Sequence, residues 1–152
     1  MKTLVLISCA ALLSAQSTTP RYEDYPATEP YAGKNVPLQL GKDDREFRTR
    51  LRSASALKPN FDGHYILTAW GCGAECLMGA VIDANTGRVI WFPHTICCWP
   101  ADVDKPIKYR LNSRLIVLIG TRNEKEGDEG THYYEFRDGK FILIRSVLAK
   151  KK

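Results

Sequence analysis

From residue 64 onward the chain is a succession of short β-type segments separated by turn residues, and this pattern constrains the fold most. Asp138-Gly139 predicts a two-residue hairpin turn with two positive φ angles, and Gly87 predicts a left-handed residue closing a longer turn. Short connections between successive segments predict an antiparallel meander. The predicted strands are 64–70, 78–83, 88–92, 107–111, 114–119, 131–136 and 140–146.

Residues 43–54 predict one helix ahead of these strands. Asp43 followed by Glu46 is typical of a capping box at a helix start. An apolar stripe at helical spacing consists of Phe47, Leu51 and Ala54. The predicted fold class is therefore α+β, mainly an antiparallel β meander with one N-terminal helix packed on the sheet.

Residues 1–17 have the features of a cleavable secretory signal: Lys2, a short apolar run and small residues near Ala15 and Ser17. The run is shorter than the roughly 20 apolar residues that span a bilayer. Leu6-Ile7-Ser8-Cys9 also resembles a lipoprotein cleavage box, but a cut there would leave a very short signal. The sequence predicts a periplasmic or secreted protein with no membrane insertion after cleavage, and it leaves lipidation of Cys9 open.

The rest of the chain divides into two parts. Residues 18–41 carry four prolines and three tyrosines without periodicity, which predicts an extended leader that lies along the domain. Residues 42–152 are long enough for a single domain with its own core. The formal net charge of +5 is modest, and Lys150-Lys151-Lys152 contributes much of it. No basic patch interleaved with aromatics indicates nucleic-acid binding, and no motif indicates a cofactor or a catalytic site.

Four cysteines follow the predicted signal: Cys72, Cys76, Cys97 and Cys98. An even number in an exported protein favours structural disulfides. The predicted strand order puts the 71–77 loop and the 93–99 segment at the same end of the sheet. Cross-links between the two pairs are favoured slightly over a local Cys72–Cys76 bond with Cys97 and Cys98 joined or free. A zinc site with His94 is the less favoured alternative, because vicinal cysteines suit a tetrahedron poorly.

Three short sequence motifs, separated along the chain, together form a pattern that resembles that of a known family. They are Asn60-Phe61-x-Gly63-His64-Tyr65, Trp70-Gly71-Cys72-Gly73-x-x-Cys76 and Asp83-x-x-Thr86-Gly87. The run, GHY…WGCGxxC…DxxTG, resembles that of a family of small exported bacterial domains of unknown function, over roughly a fifth of the chain. The resemblance implies export and a fold, and it implies no catalytic residue.

The functional expectation is a non-enzymatic protein-binding module of the cell envelope, of inhibitor or immunity type. Disulfide-held loops at 71–77 and 93–101 would present a rigid surface, and rigidity lowers the entropy cost of binding. The candidate binding residues at that end are Trp70, Glu75, His94 and Trp99. The expected partner is an envelope or secreted protein; the oligomeric state is left open.

The alternative is a small envelope hydrolase or redox enzyme using His64 or the cysteines. His64, His94 and His132 are the candidate bases, with Glu75 or Asp83 as acidic neighbours. No recognisable nucleophile motif accompanies them. The sequence therefore predicts no catalytic residue and no metal-binding residue.

Overall fold

A computed structural model describes residues 19–31 and 33–150. The predicted signal segment and Cys9 lie outside the described residues. The structure is mostly antiparallel β-sheet with one short α-helix packed on it. The strands are β1 (Tyr65–Gly73), β2 (Cys76–Asp83), β3 (Val89–Trp91), β4 (Ile96–Cys97), β5 (Ile107–Arg110), β6 (Ser113–Arg122), β7 (Gly130–Arg137) and β8 (Lys140–Leu148).

The sheet order is β1-β2-β4-β6-β7-β8, and every paired strand runs antiparallel. β3 pairs with the second half of β2, and β5 pairs with β6, so the meander is interrupted between β2 and β6. The two-residue β4, which lies outside the predicted strands, bridges them by pairing with β2 on one side and β6 on the other. It joins the β1–β2–β3 and β5–β8 parts into one sheet.

Two apolar clusters lie on opposite faces of β1 and β2, because successive side chains in a strand point to opposite sides. Leu67 and Val81 pack with residues of β6 and β7 in the larger cluster, around Phe61 and Phe136. Ile66 and Ile82 face the other way, toward the helix residue Leu51. The helix is therefore held by the second face of a sheet whose first face forms the main core.

The helix differs from its prediction in position and in its cap. Residues Arg45–Phe47 form a 3₁₀ turn, and the α-helix α1 spans Arg48–Ser55. It is not N-terminal in the structure, because the described leader precedes it. The predicted capping box at Asp43 is absent from these described residues. The neighbouring Asp44 carboxylate instead accepts hydrogen bonds from the Gly41 N–H and the Trp91 indole, at 2.6 and 2.7 Å.

The leader lies against the domain through fixed hydrogen bonds. The Ser113 hydroxyl donates to the Tyr22 and Tyr25 carbonyl oxygens, at 3.0 and 2.7 Å. The Arg110 guanidinium lies 4.2 Å from the Tyr22 ring centroid. Further along, the Thr28 N–H donates to the Asp62 carboxylate at 3.0 Å. Within the described residues of the leader the only helix is the 3₁₀ turn Tyr22–Asp24, so these contacts hold a largely irregular segment against the domain.

Two glycines allow the backbone of the leader to pack directly against the backbone of the domain. Gly63 has φ +74°, and a Cβ there would collide with the Glu29 carbonyl. Gly87 has φ +76°, as the turn pattern predicts, and a Cβ there would collide with the Pro37 carbonyl. Only glycine provides both the backbone conformation and the space. Both glycines belong to the run that carries the family resemblance, so that run has a structural role in docking the leader.

Candidate functional site

The tip of the β1–β2 hairpin is closed by a disulfide between Cys72 and Cys76, whose Cα atoms are 5.2 Å apart. The pairing register shifts between Gly71 and Gly73, and Glu75 takes a left-handed φ of +48°. The chain therefore turns tightly enough for the two cysteines to meet locally. The cross-linked arrangement that the sequence slightly favoured is not the one formed. The local alternative is the one in the structure.

Cys97 and Cys98 are free thiols whose Sγ atoms lie 2.8 Å apart. Cys97 is the cross-strand partner of Cys76, so the two cysteine pairs are neighbours as the strand order predicts. Burial, followed by the neighbouring Cys98, raises the pKa of the Cys97 thiol to about 11. A thiol held protonated is a poor redox nucleophile, because the thiolate is the reactive form.

The four candidate binding residues do not form one surface. Trp70 is buried on the helix side of the sheet, where it packs against Phe47. Trp99 is half-buried against the other cluster, so the two tryptophans lie on opposite faces. Glu75 is exposed at the hairpin tip. The remaining candidate, His94, is half-buried.

His94 is positioned by a neighbour from the β6–β7 connection. The Asn123 amide nitrogen lies 3.0 Å from its Nδ1, so the amide donates and Nδ1 accepts. Burial, followed by the positive charge of Arg122, lowers the pKa of the imidazole. His94 is therefore neutral near pH 7 and presents no positive charge at this end of the sheet.

His64 lacks the neighbours of a catalytic base. Its side chain is largely buried, Nε2 lies 3.7 Å from the Asp83 carboxylate, and Nδ1 has no hydrogen-bond partner among the described residues. The Asp83 carboxylate already accepts from the Asn85 N–H and the Thr86 hydroxyl, at 2.9 and 2.8 Å. Those two bonds shape the Asp83–Gly87 turn. The carboxylate therefore holds the hairpin turn as well as lying beside the imidazole.

His132 and Ser146 resemble a catalytic serine–histidine pair, but the histidine side chain is fully buried. His132 Nδ1 lies 2.9 Å from the Ser146 hydroxyl, while Nε2 faces the carbonyl oxygens of Asp128 and Gly120 at 3.0 and 3.2 Å. Nε2 must donate to these acceptors, so Nδ1 accepts from Ser146. Burial lowers the pKa of His132, and its side chain is 0% exposed. No substrate reaches this imidazole in the described structure, which makes the pair a structural lock between β7 and β8.

The connection between β6 and β7 contains an acidic stretch, residues 124–129, and only part of it is exposed to solvent. Glu124 and Glu126 are exposed, but Asp128 is buried. Arg122 donates two hydrogen bonds to the Asp128 carboxylate, at 2.6 and 2.7 Å. These bonds lower the pKa of Asp128 to about 2. The stretch therefore carries one stabilising ion pair, whose arginine also donates to the Tyr134 hydroxyl at 2.7 Å.

The strands at the two ends of the β1-β2-β4-β6-β7-β8 order differ in how their outer edges are covered. At β1, Asn60 Oδ1 accepts from the Leu67 N–H at 2.8 Å and Asn60 Nδ2 donates to the Leu67 carbonyl at 3.0 Å. The described residues contain no equivalent cover along β8, which pairs with β7 alone. Exposed strand edges are sites where another chain adds a strand.

Large exposed hydrophobic side chains in the described residues fall on just two surfaces, and all are between 39% and 55% exposed. The sequence patterns did not single out either surface, because alternation alone does not reveal which edge stays unpaired. The first set lies on β8: Ile142, Leu143, Val147 and Leu148. The second set, Val36, Leu57 and Leu111, lines a groove beside the leader.

The described residues hold no group of three or more His, Cys, Asp or Glu side chains arranged to bind a metal ion. In the same residues no helix is long and apolar enough to cross a membrane. The Cys72–Cys76 disulfide is compatible with an oxidising compartment. No family model, curated protein or solved structure matches this chain.

Proposed function

We propose that the chain is a non-enzymatic protein-binding module of the bacterial cell envelope or the secreted fraction. Its partner adds an extended strand to the free edge of β8. The observation that carries this proposal is the contrast between the two end strands: β1 is covered at Tyr65 and Leu67, whereas β8 pairs with β7 alone within the described residues and carries four exposed apolar side chains.

The side chains of β8 support strand addition. An added strand gains affinity from main-chain hydrogen bonds and specificity from side-chain contacts. Ile142 and Leu143 lie exposed in the first half of β8, and Val147 and Leu148 lie exposed at its end. Burying such side chains contributes about 25 cal/mol for each Å² of apolar surface removed from water. A long edge strand with this composition is otherwise an aggregation hazard.

The charge of this segment favours an acidic partner over a second copy of the chain. Residues 140–152 contain five cations and no acid: Lys140, Arg145, Lys150, Lys151 and Lys152. Pairing two copies edge to edge would bring the exposed Lys140 and Lys150 of both copies onto one edge with no acid from residues 140–150 to offset them, which is unfavourable. We therefore assign the partner as a protein that presents an extended apolar segment flanked by acidic residues.

The inhibitor- or immunity-type surface at the cysteine end is a second proposal for the same class of function. It is supported by the exposed, disulfide-closed tip that contains Glu75, next to the strand that contains Cys97. The alternative of a hydrolase or redox enzyme has less support. His64 Nδ1 has no hydrogen-bond partner among the described residues, its Nε2 is 3.7 Å from Asp83, and the Cys97 thiol is held protonated.

Capture from the envelope and secreted fractions of the native bacterium, with matched variants as bait, tests the proposal. Leu143→Glu replaces an apolar edge side chain with an acid that repels the proposed partner. We expect it to abolish capture of a protein that the unmodified chain retains. Leu57→Glu makes the same change at an exposed leucine far from the edge, and it should leave capture intact.

The melting temperatures of all variants are compared first, so that loss of folding is not mistaken for loss of binding. The pattern of capture then distinguishes the β8 edge from the cysteine end. Capture that survives Leu143→Glu but is lost with Trp99→Ala or Glu75→Arg would contradict the β8 assignment and favour the cysteine end. Capture that no variant changes would contradict both surfaces. A measurable hydrolysis that is lost in His64→Ala would favour the enzyme alternative instead.

A further inference from the structure

An open groove with a volume of about 1190 Å³ lies between the leader, the end of α1 and the turn between β5 and β6. It is somewhat larger than the usual small-molecule site of about 300–1,000 Å³, so it has room for an organic ligand of that class. It is distinct from both surfaces proposed for protein binding. The apolar side chains that line it include Pro30, Tyr31, Val36, Leu57, Pro59 and Leu111.

The walls of the groove are held by specific hydrogen bonds. Asn35 Nδ2 donates to the carbonyl oxygens of Ser55 and Leu57, at 2.7 and 2.8 Å. The Tyr31 hydroxyl donates to Asn35 Oδ1 at 2.7 Å, which orients the amide. The Ser55 carbonyl is in the last turn of α1 and the Leu57 carbonyl lies two residues beyond it, where backbone acceptors lack helical partners. The leader is thereby fixed to the helix across the floor of the groove, so the site is preformed.

The lining favours an alkyl chain over a peptide. Three of its side chains, Val36, Leu57 and Leu111, are large hydrophobics that are at least 39% exposed. Four prolines also line it: Pro26, Pro30, Pro37 and Pro59. Proline has no backbone N–H, so an extended peptide would find few donors there. An unbranched hydrocarbon chain needs none and gains from apolar burial alone.

The only charged side chains that line the groove among the described residues are Lys34 and Lys58. Both are exposed, and neither has an ion-pair partner among those residues. Two cations beside an apolar groove are complementary to an amphiphile with an anionic head group. A neutral or cationic amphiphile would leave both lysines without a counter-charge.

We propose that the groove binds a free long-chain fatty acid, with the alkyl chain against Val36, Leu57 and Leu111 and the carboxylate at Lys34 and Lys58. The lysine stems add apolar contact, because their methylene groups lie along apolar surfaces while the ammonium stays in water. The two lysines make the site prefer an anionic head group, and burial of the hydrocarbon chain supplies the affinity. This proposal does not depend on strand addition at β8.

Calorimetric titration with palmitate below its micellar concentration tests the site. We expect saturable binding of one palmitate per chain. Hexadecyltrimethylammonium has the same chain length and the opposite charge, and it should bind at least about tenfold more weakly, a difference of about 1.4 kcal/mol. Lys34→Glu with Lys58→Glu should weaken palmitate binding by a similar factor and reduce the preference for the anion.

Leu57→Glu introduces an acid into the apolar wall and should abolish palmitate binding, whereas Leu143→Glu at β8 should leave it unchanged. Absence of saturable palmitate binding would overturn the proposal. Equal affinity for the cationic amphiphile would overturn the carboxylate assignment and with it the proposed ligand class. Binding to phosphatidylglycerol vesicles without binding to free palmitate would assign the groove to a membrane lipid and contradict the proposal.

Discussion

The side-chain amide of Asn60 is bonded to both backbone polar groups of Leu67, with Oδ1 2.8 Å from the nitrogen and Nδ2 3.0 Å from the oxygen. One side chain thus takes the place of a neighbouring strand at this point of β1. The Tyr65 carbonyl is covered in the same way, by the backbone N–H groups of Asn60 and Phe61. The outer edge of β1 is therefore covered at Tyr65 and Leu67, whereas β8 pairs with β7 alone among the described residues.

Asn60→Ala should lower the free energy of unfolding by about 1–3 kcal/mol, because it leaves polar groups of the buried Leu67 without partners. Urea unfolding followed by circular dichroism measures the change. Asn112→Ala is the matched control, since no hydrogen bond of its side chain is found among the described residues. It should change stability by less than about 0.5 kcal/mol. Equal effects of the two substitutions would contradict the role assigned to Asn60.

Thiol reactivity should separate the two free cysteines. On the chain without residues 1–17, which carry Cys9, we expect one disulfide, between Cys72 and Cys76. The exposed Cys98 should react with a thiol reagent in the native state, and the buried Cys97 only after unfolding. Peptide mapping identifies the labelled residues. A bond from Cys72 or Cys76 to Cys97 or Cys98 would contradict the local arrangement.

Acid should weaken the fold through Asp128. Its pKa in the folded state is about 2, below the usual 3.8, because Arg122 donates hydrogen bonds to the charged carboxylate. A lowered pKa gives stability that is complete above about pH 4 and is lost as the pH falls toward 2. The shift corresponds to about 2 kcal/mol.

Unfolding measured from pH 2 to 7 tests this expectation. The difference in stability between the unmodified chain and Asp128→Asn should shrink as the pH falls from 4 to 2. Glu126→Gln, at the exposed part of the same hairpin, should follow the unmodified chain throughout. A constant difference between the unmodified chain and Asp128→Asn across this range would show that the Arg122–Asp128 pair does not titrate as described.

Local patterns in the sequence predicted the strands and the turns well. The Asp138-Gly139 turn has the two positive φ angles that its residue types require. β4 was missed because two residues carry no periodicity, and its pairing depends on β2 and β6, which are distant in sequence. The α-helix begins later than predicted because Asp44 bonds Trp91, a contact that local capping rules do not contain.

The candidate surfaces were harder to predict than the fold. Trp70 lies within β1 and Trp99 follows β4, and the two side chains pack against different apolar clusters. The groove depends on how the leader crosses α1 through Asn35, and no pattern within the leader specifies that crossing. The position of β8 at the end of the sheet follows from the whole strand order, in which β4 interrupts the predicted meander between β2 and β6.

Hydrogen–deuterium exchange, measured on the chain alone and with the protein captured from its envelope or secreted fraction, tests strand addition most directly. Backbone amides exchange slowly when they are hydrogen-bonded within a sheet. We predict that the partner protects amides within residues 140–148, and that Leu143→Glu removes this protection while Leu57→Glu preserves it. Unchanged exchange across 140–148, with protection confined to 71–77 or 93–101, would contradict the assignment of β8 as the binding edge.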